Sequence, residues 1–381
     1  MSHRRLDIPL PSPAPGVSLN LVAHQFGNRS NGRSAYLHAG LHADEHPGLL
    51  VLQHLLEQLQ QLDAAGAIDG FVTIVPYANP IGMSQRLFGP IAGRFDFDNG
   101  ENFNRNFRLL DERVAAHIAN ARDGKMTPGE WKALFADSLA QIVATSPAQV
   151  MKRELARLAI EHDIVLDLHC DTDCVPHVYA SELQRQRATE LAEIMGAPVA
   201  LIEPRDAGGG AFDQVHSSGW GTVQAAGLLS ENESGFSATI ELRGQADVSD
   251  ELASRDASNL LRFLSREGVL TAEVPTAADF AAGRVAVFPL DGASHFQCPV
   301  AGVIVYYNAP GDPVSAGEVI AEVVRLDGGT FNERVRILSD VDGLMIVRQL
   351  HKLVRPGQRA ALLAGERPVR DRNRGSLLLD F

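Results

Sequence analysis

"HAGLHADEHPG", residues 38–48, sets His38, His42 and His46 four residues apart and threads Glu45 among them. On an α-helix three such histidines would share a face. Gly40 and Pro47 interrupt any such helix, and "SAYLHAG", 34–40, reads instead as a strand running into a turn. Only His42 and Glu45, an H-x-x-E pair at the strand exit, then converge on one point. Catalytic zinc commonly takes three protein ligands drawn from His and carboxylate and leaves a position for water, so a third histidine is required from another strand end. "DIVLDLHCD", 163–171, provides His169 where a buried strand runs out. Asp167 lies two residues earlier on the same face, suited to orienting that ligand.

Outward from this stretch, short apolar runs alternate with amphipathic ones as far as about Gly268: "HPGLLVLQHLLEQLQQL", "GFVTIVPYANP", "APVALIEP" and "SATIELRG". This alternation predicts an α/β fold, a three-layer α/β/α arrangement around a mixed, mostly parallel sheet. Sites in such sheets lie beyond the carboxyl ends of the strands, where both candidates fall. Several helices are expected between Arg108 and Asp163, with Thr127 and Ser146 as N-caps, each followed by Pro. "EVPTAADFAAGR", 273–284, reads as a linker. The expected division is an α/β domain over 1–277, which carries the candidate metal site, a smaller all-β domain over 285–365 and a tail over 366–381.

The 381 residues are 45% hydrophobic and 21% charged, a globular composition with enough chain for one large or two ordinary cores. A net charge of −13 argues against broad nucleic-acid or anionic-membrane binding and favours a small-molecule partner. The first thirty or so residues lack a signal-peptide pattern, and no apolar run is long enough to span a bilayer. Cys170, Cys174 and Cys298 are too few for a disulfide framework. A cytoplasmic location is expected.

Hydrolysis also needs a base. Glu241 interrupts the β-branched strand "SATIELRG", 237–244, where an acid is costly unless something pairs with it or uses it. A carboxylate beside activated water is the standard general base. Arg243, on the same face by strand alternation, offers the competing reading of a structural Glu–Arg pair.

Together these blocks resemble the succinylglutamate desuccinylase/aspartoacylase family, deacylases with a fold similar to zinc carboxypeptidases. "GLHADEHPG" resembles the H-x-x-E metal motif, "DLH" the third-ligand motif, "NFNRNF" (102–107) the Asn-Arg block and "TIELRG" the block with the catalytic glutamate. The resemblance implies one zinc per chain on His42, Glu45 and His169, Glu241 as base, and Asn104 with Arg105 holding a substrate carboxylate. Arg86, in "ANPIGMSQR", falls near an arginine that polarises the scissile carbonyl. Asp167 and Arg243 would support these groups from behind. Where aspartoacylase carries an arginine gripping a second substrate carboxylate, this chain has Glu231, so a dicarboxylate such as N-acetylaspartate is not expected.

Other motifs fit less well. The loop "FDFDNGEN", 95–102, does not match a calcium loop, and one C-x-x-x-C is a poor zinc signature. The glycines of "DAGGGAFDQVHSSGWG", 206–221, lack a P-loop lysine and read as a mobile loop bordering the cleft. Residues 306–324 and 339–365 resemble the two halves of a biotinyl or lipoyl carrier barrel. "RLDGGTFNER", 325–334, lacks the lysine that carriers modify, so this domain is expected to buttress the cleft or an interface in a homo-oligomer. The expected activity is zinc-dependent cleavage of the amide of a small N-acylated amino acid or amine. A metallocarboxypeptidase, and a zinc-dependent binding or scaffold protein, remain as alternatives.

Overall fold

The computed structural model describes residues 2–120, 126–271 and 285–368. Among them the strands run β1 (Arg4–Leu10), β2 (Leu19–Gly27), β3 (Ser34–Ala39), β4 (Phe71–Val75), β5 (Ile164–Asp171), β6 (Asp173–Cys174), β7 (His177–Ser181), β8 (Val199–Glu203), β9 (Phe236–Gly244) and β10 (Ala286–Pro289). All but β6 join one sheet in the order β1-β2-β4-β3-β5-β9-β7-β8-β10. Parallel pairing joins β4, β3, β5 and β9 in turn, and likewise β7, β8 and β10. The remaining neighbours are antiparallel.

Strand alternation sorts the side chains into two layers. Ala35, Leu37, Leu166, Leu168, Ala238 and Ile240 point into one apolar core shared with helices α1 (Pro47–Ala64), α6 (Arg185–Met195) and α8 (Asp250–Arg266). Their neighbours in sequence face the opposite layer, made of α3 (Asp111–Asn120), α4 (Pro128–Ala140), α5 (Pro147–Ile160) and α7 (Phe212–Ala225). A short α2 (Pro80–Ser84) lies between β4 and α3. On the α7 side the inner ends of the strands turn polar: Asp167 and His169 follow Val165, and Thr239 and Glu241 follow Ser237. Sidedness thus separates chemistry from core.

The helix boundaries follow local signals. Thr127 and Ser146 each complete a capping box, with Glu130 and Gln149, ahead of Pro128 and Pro147. Gly48 lets α1 press on the sheet, since a Cβ there would stand 3.0 Å from that of Ala39 and 3.2 Å from that of Leu168. No helix among the described residues is long and apolar enough to cross a membrane.

The remaining strands are β11 (Ala293–Gln297), β12 (Gly302–Tyr306), β13 (Pro313–Val314), β14 (Val319–Val324), β15 (Arg334–Leu338), β16 (Gly343–Arg348), β17 (Leu353–Val354) and β18 (Arg359–Gly365). They form two antiparallel sheets, β11-β18-β16-β13 and β15-β14-β12-β17, around a core that includes Ile304, Ile320, Met345 and Leu363. The boundary differs from the one expected at residue 285. β10 pairs with β8 and extends the large sheet, while β6, from the first region, pairs with β16. The expected linker and most of the expected tail lie outside the described residues.

Candidate active site

The ends of β3, β5 and β9 bring the predicted residues together. His42, Glu45 and His169 are all buried, and one ligand atom from each lies within 4.8 Å of the others. In the parallel register His169 and Glu241 are Cα partners across β5 and β9.

Each histidine is anchored through Nε2. His42 Nε2 lies 2.8 Å from Asn102 Oδ1, an oxygen that also accepts the Asn104 amide at 2.9 Å. The Asn102 oxygen therefore requires the His42 proton on Nε2. On His169, Nε2 lies 2.9 Å from Asp167 Oδ2. Both rings consequently present Nδ1 to Glu45, at 3.0 Å from Oε1 and 2.8 Å from Oε2. A bare ring nitrogen facing a carboxylate oxygen is a repulsive contact unless a positive centre lies between them. Two imidazoles oriented by outer acceptors and one carboxylate are a donor set that suits a divalent metal.

The electrostatics point the same way. Burial alone would raise the Glu45 carboxyl, but the imidazoles of His169 and His42 outweigh it and hold Glu45 well below its ordinary range. Burial would lower His169, yet Asp167 and Glu45 carry it well above its usual value. His42 falls to about 4, through burial and then Arg94. The two carboxylates around His169 thus favour positive charge at that ring, while His42 stays neutral.

Glu241 is the expected acid in an apolar strand. Burial, then Glu45, push it up to about 8, and its Oε2 has no partner among the described residues. The competing Glu–Arg pair does not form. Arg243 adopts φ +78° beside a register shift between β5 and β9, and its side chain turns to Asp256 on α8. Strand alternation, which put the two side chains on one face, fails at that position.

Asp167 occupies the supporting position expected of it. It also accepts from His38, whose Nε2 lies 2.7 Å from Asp167 Oδ1 and whose Nδ1 lies 3.0 Å from Tyr36 Oη. His38, set aside with the helical reading, thus extends the network one residue deeper. Its signal was the register that makes it the Cα partner of Asp167.

Asn104 and Arg105 sit behind and beside the triad. The Asn104 amide is engaged at both ends: Oδ1 accepts the Phe212 N–H at 2.8 Å, and Nδ2 donates to Asp167 Oδ2 at 3.4 Å. It orients protein groups. Arg105 is buried and lowered to about 10, through burial and then Arg94, and it lines the cavity. Lys152 fixes this block by donating to the Arg105 carbonyl at 2.8 Å and pairing with Glu101. Gly210, at φ +62°, completes it by lying so close that a Cβ would meet the Phe107 carbonyl oxygen at 2.9 Å.

Arg86 is not at the site. It is exposed and donates to the Gly89 carbonyl at 3.0 Å. Arg94 stands in its place, with Nη1 2.9 Å from Glu45 Oε1 and 3.3 Å from His42 Nδ1. Glu231 also lies away from the cavity, at the end of the chain leading into β9, where it accepts the Arg187 N–H at 3.3 Å. The glycine-rich stretch expected to be a mobile loop passes at Phe212 into α7. Cys170 borders the cavity and Cys174 donates to the Arg243 carbonyl, both outside the metal-binding set.

The cavity at these strand ends encloses about 520 Å³, its open mouth included, and His42, Glu45, His169, Glu241, Arg94 and Arg105 all border it. An α/β sheet carrying a potential metal triad and an unpaired acid at its strand ends defines a recognisable class. Residues 31–266 match the succinylglutamate desuccinylase/aspartoacylase catalytic domain, and the chain belongs to that family. A curated relative, N-alpha-acetyl-L-2,4-diaminobutyric acid deacetylase of Halomonas elongata, is 24% identical over 96% of this chain and 91% of its own. A succinylglutamate desuccinylase/aspartoacylase family protein from Shewanella amazonensis has the same fold, with a TM-score of 0.80 at 24% identity over 95% of this chain and 98% of its own. The product-bound ectoine utilization protein EutE (DoeB) from Ruegeria pomeroyi aligns with a TM-score of 0.66 at 19% identity, covering 95% and 94%.

Proposed function

We propose that this protein is a zinc-dependent amidohydrolase that removes the acyl group from a small N-acylated amino acid or amine. The observation that carries the reading is the unpartnered, buried carboxyl oxygen of Glu241 beside the His42–Glu45–His169 triad. Pure ligand binding has no need for an unpaired acid there. Family membership and the named activity of the Halomonas relative support the same chemistry.

His42, Glu45 and His169 would hold the metal through the two Nδ1 atoms and the carboxylate. Bound there, zinc supplies Lewis acidity that polarises an amide carbonyl and acidifies water. Glu241, raised by burial, would hold its ionised form with a dication on the triad beside it. Glu241 then accepts the proton of the attacking water and delivers it to the departing amine nitrogen. Arg94 offers guanidinium donors to the carbonyl oxygen as negative charge develops on it. Arg105 presents a planar fork to a substrate carboxylate. The products are a carboxylate and a free amine.

Glu241→Gln, compared with wild type on N-acetyl, N-succinyl and N-formyl amino acids and on short peptides, tests this assignment. The variant should retain its metal and lose roughly 10²-fold or more in turnover, within the range general bases commonly contribute. Near-normal turnover would remove Glu241 from the chemistry, and preference for peptides would make the protein a carboxypeptidase.

A further inference from the structure

Away from the triad, the cavity wall carries two buried acids. Asp213, in the first turn of α7, is 2% exposed, and Glu203, at the end of β8, is 5% exposed. Both line the cavity together with Arg105. Glu203 accepts from Gln214 Nε2 at 3.2 Å. Asp213 Oδ1 has no hydrogen-bond partner among the described residues. Arg105 thus brings one positive charge toward two carboxylates, and leaving a buried carboxyl oxygen unsatisfied is expensive. Burial, and then Glu203, raise Asp213 well above its ordinary range, so that a cation brought beside it would favour its ionised form.

We propose that Asp213, with Glu203 beside it, forms a subsite for a free ammonium group on the substrate, so that the substrate class is an N-acylated diamino acid. The inference rests on the deacylase reading and deepens it. One end of such a molecule bears a carboxylate for Arg105 and, a few carbons away, an ammonium for Asp213. Both charges are neutralised in one corner of the cavity, leaving the acylated nitrogen to reach toward Glu241. An acyl amino acid with an apolar side chain would leave the Asp213 oxygen buried and unpaired. Selectivity therefore comes from the cost of the wrong substrate as much as from attraction to the right one.

The test compares Nα-acetyl-2,4-diaminobutyrate with Nα-acetyl-2-aminobutyrate, which lacks only the amine, on zinc-loaded wild type, Asp213→Asn and Glu203→Gln. Calorimetric titration with 2,4-diaminobutyrate and with 2-aminobutyrate runs beside the assay. Wild type should favour the diamino substrate in kcat/KM, and Asp213→Asn should lower that ratio about 10- to 100-fold, mostly through KM, as loss of a charged hydrogen bond does. Glu203→Gln should lower it in the same direction and serves if the Asn variant does not fold. No preference in wild type, or equal losses on both substrates, overturns the subsite. If neither acetyl compound is hydrolysed while diaminobutyrate still binds in an Asp213-dependent way, the subsite stands and the deacylase reading fails. If neither ligand binds, the subsite falls as well.

Discussion

Arg359, on β18 of the C-terminal region, forms an ion pair with Asp171 at the end of the strand that carries His169. The neighbouring Arg348–Asp173 pair, at 2.6 Å, repeats the link one step along the chain. Burial would raise Asp171, but Arg359 outweighs it and holds the carboxyl below its ordinary range. Removing one partner strands a mostly buried charge, so Arg359→Ala should destabilise the protein by about 3 kcal/mol in denaturant unfolding. Adding Asp171→Asn should recover part of that loss. Simple additivity of the two substitutions would show that the pair does not couple the regions.

Metal content is the direct check on the triad. Wild type is expected to bind close to one zinc per chain, whereas His42→Ala and His169→Ala should each lose most of it together with activity. Chelation should also lower the wild-type melting temperature, because a ligand bound only to the folded state stabilises it by mass action. Full metal occupancy in both variants, measured by elemental analysis, would remove these residues as ligands.

Arg86 and Arg94 should behave oppositely. Arg86 is exposed and, among the described residues, its side chain bonds only within its own turn, so Arg86→Ala should leave kcat/KM within about twofold of wild type. Arg94→Ala should reduce kcat by roughly 10² to 10³, the usual cost of losing an oxyanion donor. Steady-state kinetics on any substrate that turns over decides between them, and a larger loss at Arg86 would reverse the assignment.

Acid should loosen the α4–α5–α7 layer. His162 and His216 are buried there, and His216 Nε2 lies 3.0 Å from the His162 carbonyl oxygen. Burial lowers them from 6.5 to about 3 and about 4 respectively. The unfolded chain takes up these protons near pH 6.5 while the folded chain does not. Their contribution is therefore complete above pH 6.5 and is lost as pH falls toward the folded values, at roughly 1 kcal/mol per pH unit for each. Unfolding measured between pH 6.5 and 5 should have a shallower slope in His216→Gln than in wild type. Identical slopes would mean that His216 titrates in the folded state as it does in the unfolded chain.

The residues legible in the sequence are those where a polar group breaks a buried strand: His169 and Asp167 in β5, and Glu241 in β9. The H-x-x-E pair could be read because Gly40 and Pro47 exclude the helix. Arg94 escaped because residues 85–92 double back, with the Ala92 N–H on the Gln85 carbonyl at 2.9 Å and a bridge between Arg86 and Ile91. That reversal carries Arg86 outward, and position along the chain could not reveal it. Asp213 falls in the glycine-rich stretch that reads as a mobile loop, so its place in α7 beside Glu203 at the end of β8 was not visible in the sequence. β10 was read as the start of a new domain because no local pattern distinguishes an edge strand added to an earlier sheet from the first strand of a later one.

The pairing of β10 with β8 also has a consequence during synthesis. Roughly eighty residues separate Glu203 from Ala286, so at translation speeds of about 5–20 residues per second the outer edge of β8 stays open on the ribosome for roughly 4 to 16 s. Through that interval a nascent chain carries an unpaired parallel edge strand, the kind of surface that recruits other strands. Chains arrested just short of residue 286 should therefore be more prone to self-association, or more dependent on chaperones, than chains arrested beyond residue 289. Equal behaviour of the two would mean that the edge is shielded before β10 emerges.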